Sequence, residues 1–168
     1  MFYVTETNAQ QPAQEHPAVS EFKPYGKDVS VAGVPIKNKF GQQYRLGEHK
    51  GSWVLVNLWA TWCPPCVQEL PTIEELDFLT SDEDFKVLAI SVDRYRNGTQ
   101  LQDFLNDIGV FELEFAYDSS NQLLTFLQYR GLPTTYIISP DSKVHGIYEG
   151  VANWSDPQTI EAIKAVLY

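Results

Sequence analysis

The chain has 168 residues, enough for one domain with a substantial core. Its hydrophobic fraction of 43%, charged fraction of 20% and 22 aromatic residues (nine Phe, nine Tyr, four Trp) exclude a disordered chain. A formal net charge of -10 argues against nucleic acid as the main partner, because phosphate binding needs clustered Lys and Arg, but the sum leaves room for a local basic patch.

Residues 1–27 read as a flexible tail or tether, rich in Gln, Glu, Ala, Pro and Thr and without periodicity. They lack the basic start and long apolar run of a signal peptide, and no stretch of the chain approaches the roughly 20 apolar residues of a membrane span. Two readings stay open at this point: a cytoplasmic protein, or a fragment whose anchor lies upstream of Met1.

From residue 28 the pattern is that of one domain. Val34–Lys37 and Gln42–Leu46 form the arms of a hairpin around Asn38–Gly41, and residues 47–52 form a loop. Trp53–Ala60 is a near-continuous apolar run, as expected of a strand buried on both faces. After Thr61-Trp62-Cys63-Pro64-Pro65-Cys66 a helix follows, with Val67, Leu70, Ile73 and Leu76 on one face and Pro71 inside it. Pro71 removes a backbone donor there, and a kink is expected.

Phe85–Val92 reads as a second buried strand, Thr99–Ile108 as an amphipathic helix and Leu113–Tyr117 as a short strand. Residues 119–129 read as a helix capped by Ser119 or Ser120. Thr135–Ser139 and Val144–Glu149 form an antiparallel hairpin, and Pro157–Leu167 a last helix capped by Ser155 or Asp156. The order implies an α/β fold, a mixed sheet flanked by helices.

The two cysteines, Cys63 and Cys66, are the only ones in the chain. A C-x-x-C between a buried strand and a helix places Cys63 at the helix N-terminus, where unpaired N–H groups and the helix dipole favour a thiolate. The thiolate is the form that attacks disulfides, and Cys66, one turn on, can resolve the mixed disulfide. Pro64 and Pro65 suit the first helical turn and stiffen the loop. Zinc would need four ligands, and His16, His49 and His145 do not supply a partner motif. A purely structural disulfide would close too short a loop to stabilise much. The P-x-x-x-[T/S]-x-x-C run of a peroxidatic cysteine is absent, since Val56 and Ala60 stand at its Pro and Thr/Ser places.

Asn57-Leu58-Trp59-Ala60-Thr61-Trp62-Cys63-Pro64-Pro65-Cys66, with Glu69-Leu70-Pro71 behind it, resembles the thioredoxin superfamily, and within it the TlpA/ResA-like thiol-disulfide oxidoreductases. The resemblance covers residues 28–168. It implies a thioredoxin-like fold with an N-terminal hairpin extension and a central insertion over residues 94–114. It also implies that Cys63 attacks, that Cys66 resolves, and that Pro133 in Gly131-Leu132-Pro133-Thr134 is cis and faces the pair. Trp62, Pro64, Pro65, Leu132, Pro133 and Thr134 would then form the substrate-binding surface. Thioredoxin carries a buried Asp where this chain has Asn57, which does not titrate, so Glu69 is the expected acid/base group, with a raised pKa if it is buried near the thiols.

The resemblance further implies no cofactor beyond the redox-active pair and no metal. The expected partners are protein thiols and disulfides and a membrane thiol carrier as electron donor. The expected location is periplasmic or otherwise extracytoplasmic, with a membrane anchor outside this chain, and the expected role is reduction of protein disulfides in cytochrome c or respiratory oxidase maturation. A disulfide-forming oxidase and a non-catalytic binding module are the alternatives. The lone Met and the lack of a His beside the cysteines speak against copper delivery.

Overall fold

The computed structural model describes residues 16–81 and 84–168. Eight strands form one sheet: β1 (Lys23–Pro24), β2 (Pro35–Asn38), β3 (Gln43–Arg45), β4 (Trp53–Trp59), β5 (Phe85–Ser91), β6 (Phe115–Tyr117), β7 (Thr134–Ile138) and β8 (Val144–Glu149). Their order across the sheet is β1-β8-β7-β4-β5-β6-β2-β3. The helices are α1 (Pro64–Leu79), α2 (Gly98–Asp107), α3 (Gln122–Leu127) and α4 (Pro157–Leu167), with a short 3-10 turn at Leu46–His49 in the expected 47–52 loop.

β4 lies inside the sheet, parallel to β5 and antiparallel to β7. Its side chains alternate between faces. Val54, Val56 and Leu58 join one apolar cluster, with Leu123 and Leu127 of α3 and Ile36 of the hairpin. Leu55 and Trp59 join the other, with Leu70, Ile73 and Leu76 of α1, Leu101 and Leu105 of α2, and Ile163 of α4. Burial on both faces explains the unbroken apolar run. It also points Asn57, between Leu55 and Trp59, at the face that α1 covers.

The hairpin stands as expected: β2 pairs with β3, and Asn38 Oδ1 accepts from the N–H groups of Phe40 and Gln42, both at 3.0 Å. The central insertion supplies α2, whose start carries a capping box between Asn97 and Gln100, and leads into β6. Helix α1 continues through Pro71 to Leu79.

Two expectations need correction. Residues 1–15 of the expected tail lie outside the described residues, but from Pro17 on the chain is bound to the domain. Val19 and Phe22 are buried, Val19 N–H donates to Thr159 Oγ1 at 2.9 Å, Asn153 N–H donates to Pro17 O at 2.9 Å, and β1 pairs with β8. Those partners all lie in the last quarter of the chain, so no local pattern announces them. Helix α3 is shorter than expected, and neither Ser119 nor Ser120 caps it. Asn121, at φ 56°, occupies the cap position, and Asp118 Oδ2 takes the Leu123 N–H at 2.8 Å.

At the start of α2, a Cβ on Gly98 would overlap the backbone carbonyl of Lys39 in the hairpin turn. Alanine normally favours a helix over glycine by about 1 kcal/mol. Here the clash is with backbone, and overpacking of that kind costs about 1–3 kcal/mol. Gly98→Ala is therefore expected to lower the urea unfolding midpoint; a rise would show that the hairpin yields freely.

Candidate active site

Cys63 sits at the hinge between β4 and α1, as the N-cap residue of α1, in extended conformation (φ -108°, ψ 96°). It is bonded to Cys66, with the Cα atoms 5.3 Å apart. Only Cys63 keeps exposed surface (6%, against 0% for Cys66). Of the pair, only Cys63 lines a surface cleft, with Cys66 behind it.

An N-cap side chain takes its hydrogen bonds from the N–H groups of the second or third helical residue. Here those residues are Pro65 and Cys66, and Pro65 has no N–H. Val67 N–H is already used by Cys63 O at 3.1 Å. In the dithiol form, a Cys63 thiolate would rely on the helix dipole and the Cys66 N–H.

The loop before Cys63 is fixed by Asp93. Its carboxylate accepts from Thr61 N–H (2.9 Å), Thr61 Oγ1 (2.7 Å) and Ser91 Oγ (2.8 Å). The end of β5 therefore holds the end of β4. A cleft of about 1030 Å³ opens beside Cys63, lined on one side by Trp62, Pro64 and Pro65 and on the other by Gly131 and Leu132. Trp62 is 68% exposed.

The Leu132–Pro133 peptide bond is cis, as expected. The rest of this loop differs from expectation. Pro133 and Thr134 are buried and lie outside the cleft wall. Thr134 Oγ1 donates to Gly131 O at 2.6 Å, and Pro133 O accepts from Gly150 N–H at 3.0 Å. The loop thus shows the cleft its Gly131–Leu132 edge, while Pro133 and Thr134 anchor it to the sheet.

Glu69 lies three residues after Cys66 on the buried side of α1 and is itself fully buried. Its Oε1 accepts from Asn57 Nδ2 at 2.8 Å. Its Oε2 accepts from Ala152 N–H at 2.9 Å and Trp154 Nε1 at 3.0 Å. Burial disfavours the charged form and pushes the carboxyl up to about 7, against the pull of these three donors. Asn57 Nδ2 also donates to Thr135 Oγ1 at 3.0 Å, which ties the carboxyl to β7 beside the Pro133 loop.

Sequence reasoning placed Glu69 but missed its cradle. Trp154 packs beside Phe22 and Tyr148, and its indole N–H also holds Glu69. Ala152 and Trp154 stand more than 80 positions from Glu69, too far for any spacing rule to link them. Asp156, one of the two expected caps of α4, accepts from Gln158 N–H at 2.8 Å. No group of three or more His, Cys, Asp and Glu among the described residues could hold a metal ion.

Residues 27–147 match the sequence profile of the AhpC/TSA family. The chain belongs to that family. Within it, the chain is 30% identical over 125 residues to the thiol-disulfide oxidoreductase ResA of Geobacillus thermodenitrificans, covering 74% of this chain and 70% of that protein. It is 28% identical over 115 residues to ResA of Bacillus subtilis, covering 68% of this chain and 63% of the other. Among solved structures it is similar to a putative thiol:disulfide interchange protein DsbE from Chlorobium tepidum, at 25% identity and a TM-score of 0.71, covering 84% of this chain and 98% of that one. The resemblance drawn from the cysteine motif is borne out. This AhpC/TSA-family chain is a thiol-disulfide oxidoreductase that exchanges a dithiol for a disulfide at Cys63–Cys66.

Two outcomes follow from the site. Pro65→Ala restores the N–H at the second helical position, which an N-cap side chain can use, and a hydrogen bond to a charged group is worth about 1.5–3 kcal/mol. A lower thiol pKa also lowers nucleophilicity, which offsets about half of that gain, so alkylation of the reduced protein at Cys63 is expected to speed up about fivefold at neutral pH; an unchanged rate would mean that the added donor does not reach the sulfur. For Glu69, the folded pKa of about 7 lies above the ordinary 4.5. The folded chain then holds the extra proton between those values, so the contribution to stability is full below pH 4.5 and is lost as pH rises through 7, roughly 3 kcal/mol in all. Unfolding of the oxidised protein, compared with Glu69→Gln, should show that slope in the parent alone.

Proposed function

We propose that this oxidoreductase works as a reductant of protein disulfides outside the cytoplasm, in the maturation of cytochrome c or of a respiratory oxidase, with Glu69 as its proton acceptor. The observation that carries the reading is the buried carboxyl of Glu69 three residues after Cys66, poised near neutrality by burial. Kinship with ResA supports it.

In the forward step the Cys63 thiolate attacks one sulfur of the substrate disulfide. A Cys63–substrate bond forms, the substrate S–S bond breaks, and the departing sulfur takes up a proton. Glu69 then accepts the Cys66 proton, and the Cys66 sulfur attacks Cys63. The Cys63–Cys66 bond forms and the second substrate sulfur leaves as a thiolate. Two electrons have passed from the pair to the substrate. A membrane thiol carrier would return them, reaching Cys63 through the same cleft. No helix among the described residues is long and apolar enough to cross a membrane, so attachment would rest on a segment outside them.

The midpoint potential of the pair decides the direction. A reductant should titrate near about -250 mV or lower, whereas a value near about -120 mV belongs to a disulfide-forming oxidase and would overturn the reading. The pH profile of insulin reduction tests Glu69. The parent should show an inflection near pH 7 that Glu69→Gln loses, with a fall in rate of roughly tenfold or more. A profile shared by both proteins would remove Glu69 from the mechanism.

A further inference from the structure

The chain has four arginines, Arg45, Arg94, Arg96 and Arg130, and three of them line the cleft beside Cys63. This gathering occurs in a protein with 22 acidic and 12 basic residues. The cleft wall includes a single acidic residue, Asp93, whose oxygens are occupied by Thr61 and Ser91 and which is almost fully buried. Around an acidic body, the opening to the reactive sulfur is cationic.

The three guanidinium groups are also held in place. With the Asn121 amide oxygen turned towards it, Arg94 donates from Nε at 3.0 Å and from Nη2. Arg96 lies over the Phe104 ring at 5.9 Å, with its Nε 3.8 Å from Asp93. Arg130 makes a forked contact with Glu149, its Nη2 2.9 Å from Oε2. A guanidinium has five N–H donors, more than these contacts use. Counting Asp93 and Glu149 against the three arginines leaves the rim at +1, while the whole chain stands at -10. Exposed Trp62 and Tyr95 (92% exposed) stand among these cations and add flat surface for a bound chain.

We infer that Arg94, Arg96 and Arg130 form a docking rim for an acidic segment of the partner protein, one whose Asp or Glu side chains flank its reactive cysteines. Arginine matches a carboxylate with two parallel hydrogen bonds, and side chains already held in place lose little freedom when it arrives. The rim acts on encounter and register, and so on which cysteine pair reaches Cys63, not on the sulfur chemistry. It deepens the exchange reaction assigned above and holds for electron flow in either direction.

The test uses the reduced protein and three synthetic peptides, each containing one disulfide with two Asp, two Asn or two Lys on either side. At about 0.1 M salt the Debye length is about 10 Å, so the distant acidic surface is screened and charges near the cleft dominate. The second-order rate for the Asp peptide should exceed that for the Lys peptide by roughly tenfold. The ratio should fall towards one at about 1 M salt, where screening is about 3 Å. It should also fall towards one, or invert, in the Arg94→Gln/Arg96→Gln double variant, with the midpoint potential unmoved. Equal rates for the Asp and Lys peptides in the parent, or a preference that survives both high salt and the double variant, would overturn the rim. A failure of the reductant proposal would appear in the potential alone, and the peptide ratio would still stand.

Discussion

The structure of the site turns on one buried carboxyl. Glu69 has three neutral donors, from Asn57 on β4, from the backbone of Ala152 and from the Trp154 indole, and among the described residues no cation pairs with it. A carboxylate in that position is only partly compensated for leaving water. The result is a group balanced near neutrality instead of one locked in the charged state. The same three bonds join α1 to β4 and to the turn before α4, so the proposed proton acceptor and the brace of the active helix are one side chain. Thr72 adds to the brace, donating to Glu69 O at 2.7 Å and accepting from Trp154 N–H at 3.1 Å.

Around that brace the chain separates two tasks. In the proposed mechanism the buried side of α1 carries the proton chemistry, with Cys66, Glu69 and Asn57 shielded from solvent. The exposed end carries the proposed recognition surface, with Cys63 barely open among Trp62, the two prolines and the arginines. The separation follows the period of the helix: Pro64 and Pro65 are exposed, whereas Cys66, Glu69, Leu70 and Ile73 are buried. The electrostatics follow the same division. An acidic body keeps the protein soluble and discourages unselective contacts, and a cationic opening reverses the sign only where a partner must enter.

The strong elements were legible because each has a pattern longer than its noise. β4 and β5 showed as apolar runs, α1 as a face of Leu70, Ile73 and Leu76, and the β2–β3 hairpin as a turn around Gly41 at φ 80°. The reading failed where the partner is remote or the cap is unusual. Val19 and Phe22 looked like part of a tail because their partners lie near Asn153, Trp154 and Thr159. The start of α3 looked like a serine cap because an Asn in the left-handed region, with Asp118 reaching over it, has no simple sequence signature. The cis bond before Pro133 was legible, but the burial of Pro133 and Thr134 was not, since the exposure of a loop depends on what the loop packs against.

By itself the sequence determined the chemistry on offer: two cysteines at helix-turn spacing after a buried strand, a glutamate three residues on, and a proline loop before the last hairpin. Those depend on local spacing, which the covalent chain fixes. Only the tertiary structure decided what each group experiences. It drew Asn57, Ala152 and Trp154 around Glu69, buried Thr134 with its hydroxyl on Gly131 O, and brought Arg94, Arg96 and Arg130 to one opening. Burial, hydrogen-bond partners and local charge are set by distances through space, and chain position says little about those until the sheet and its helices have closed.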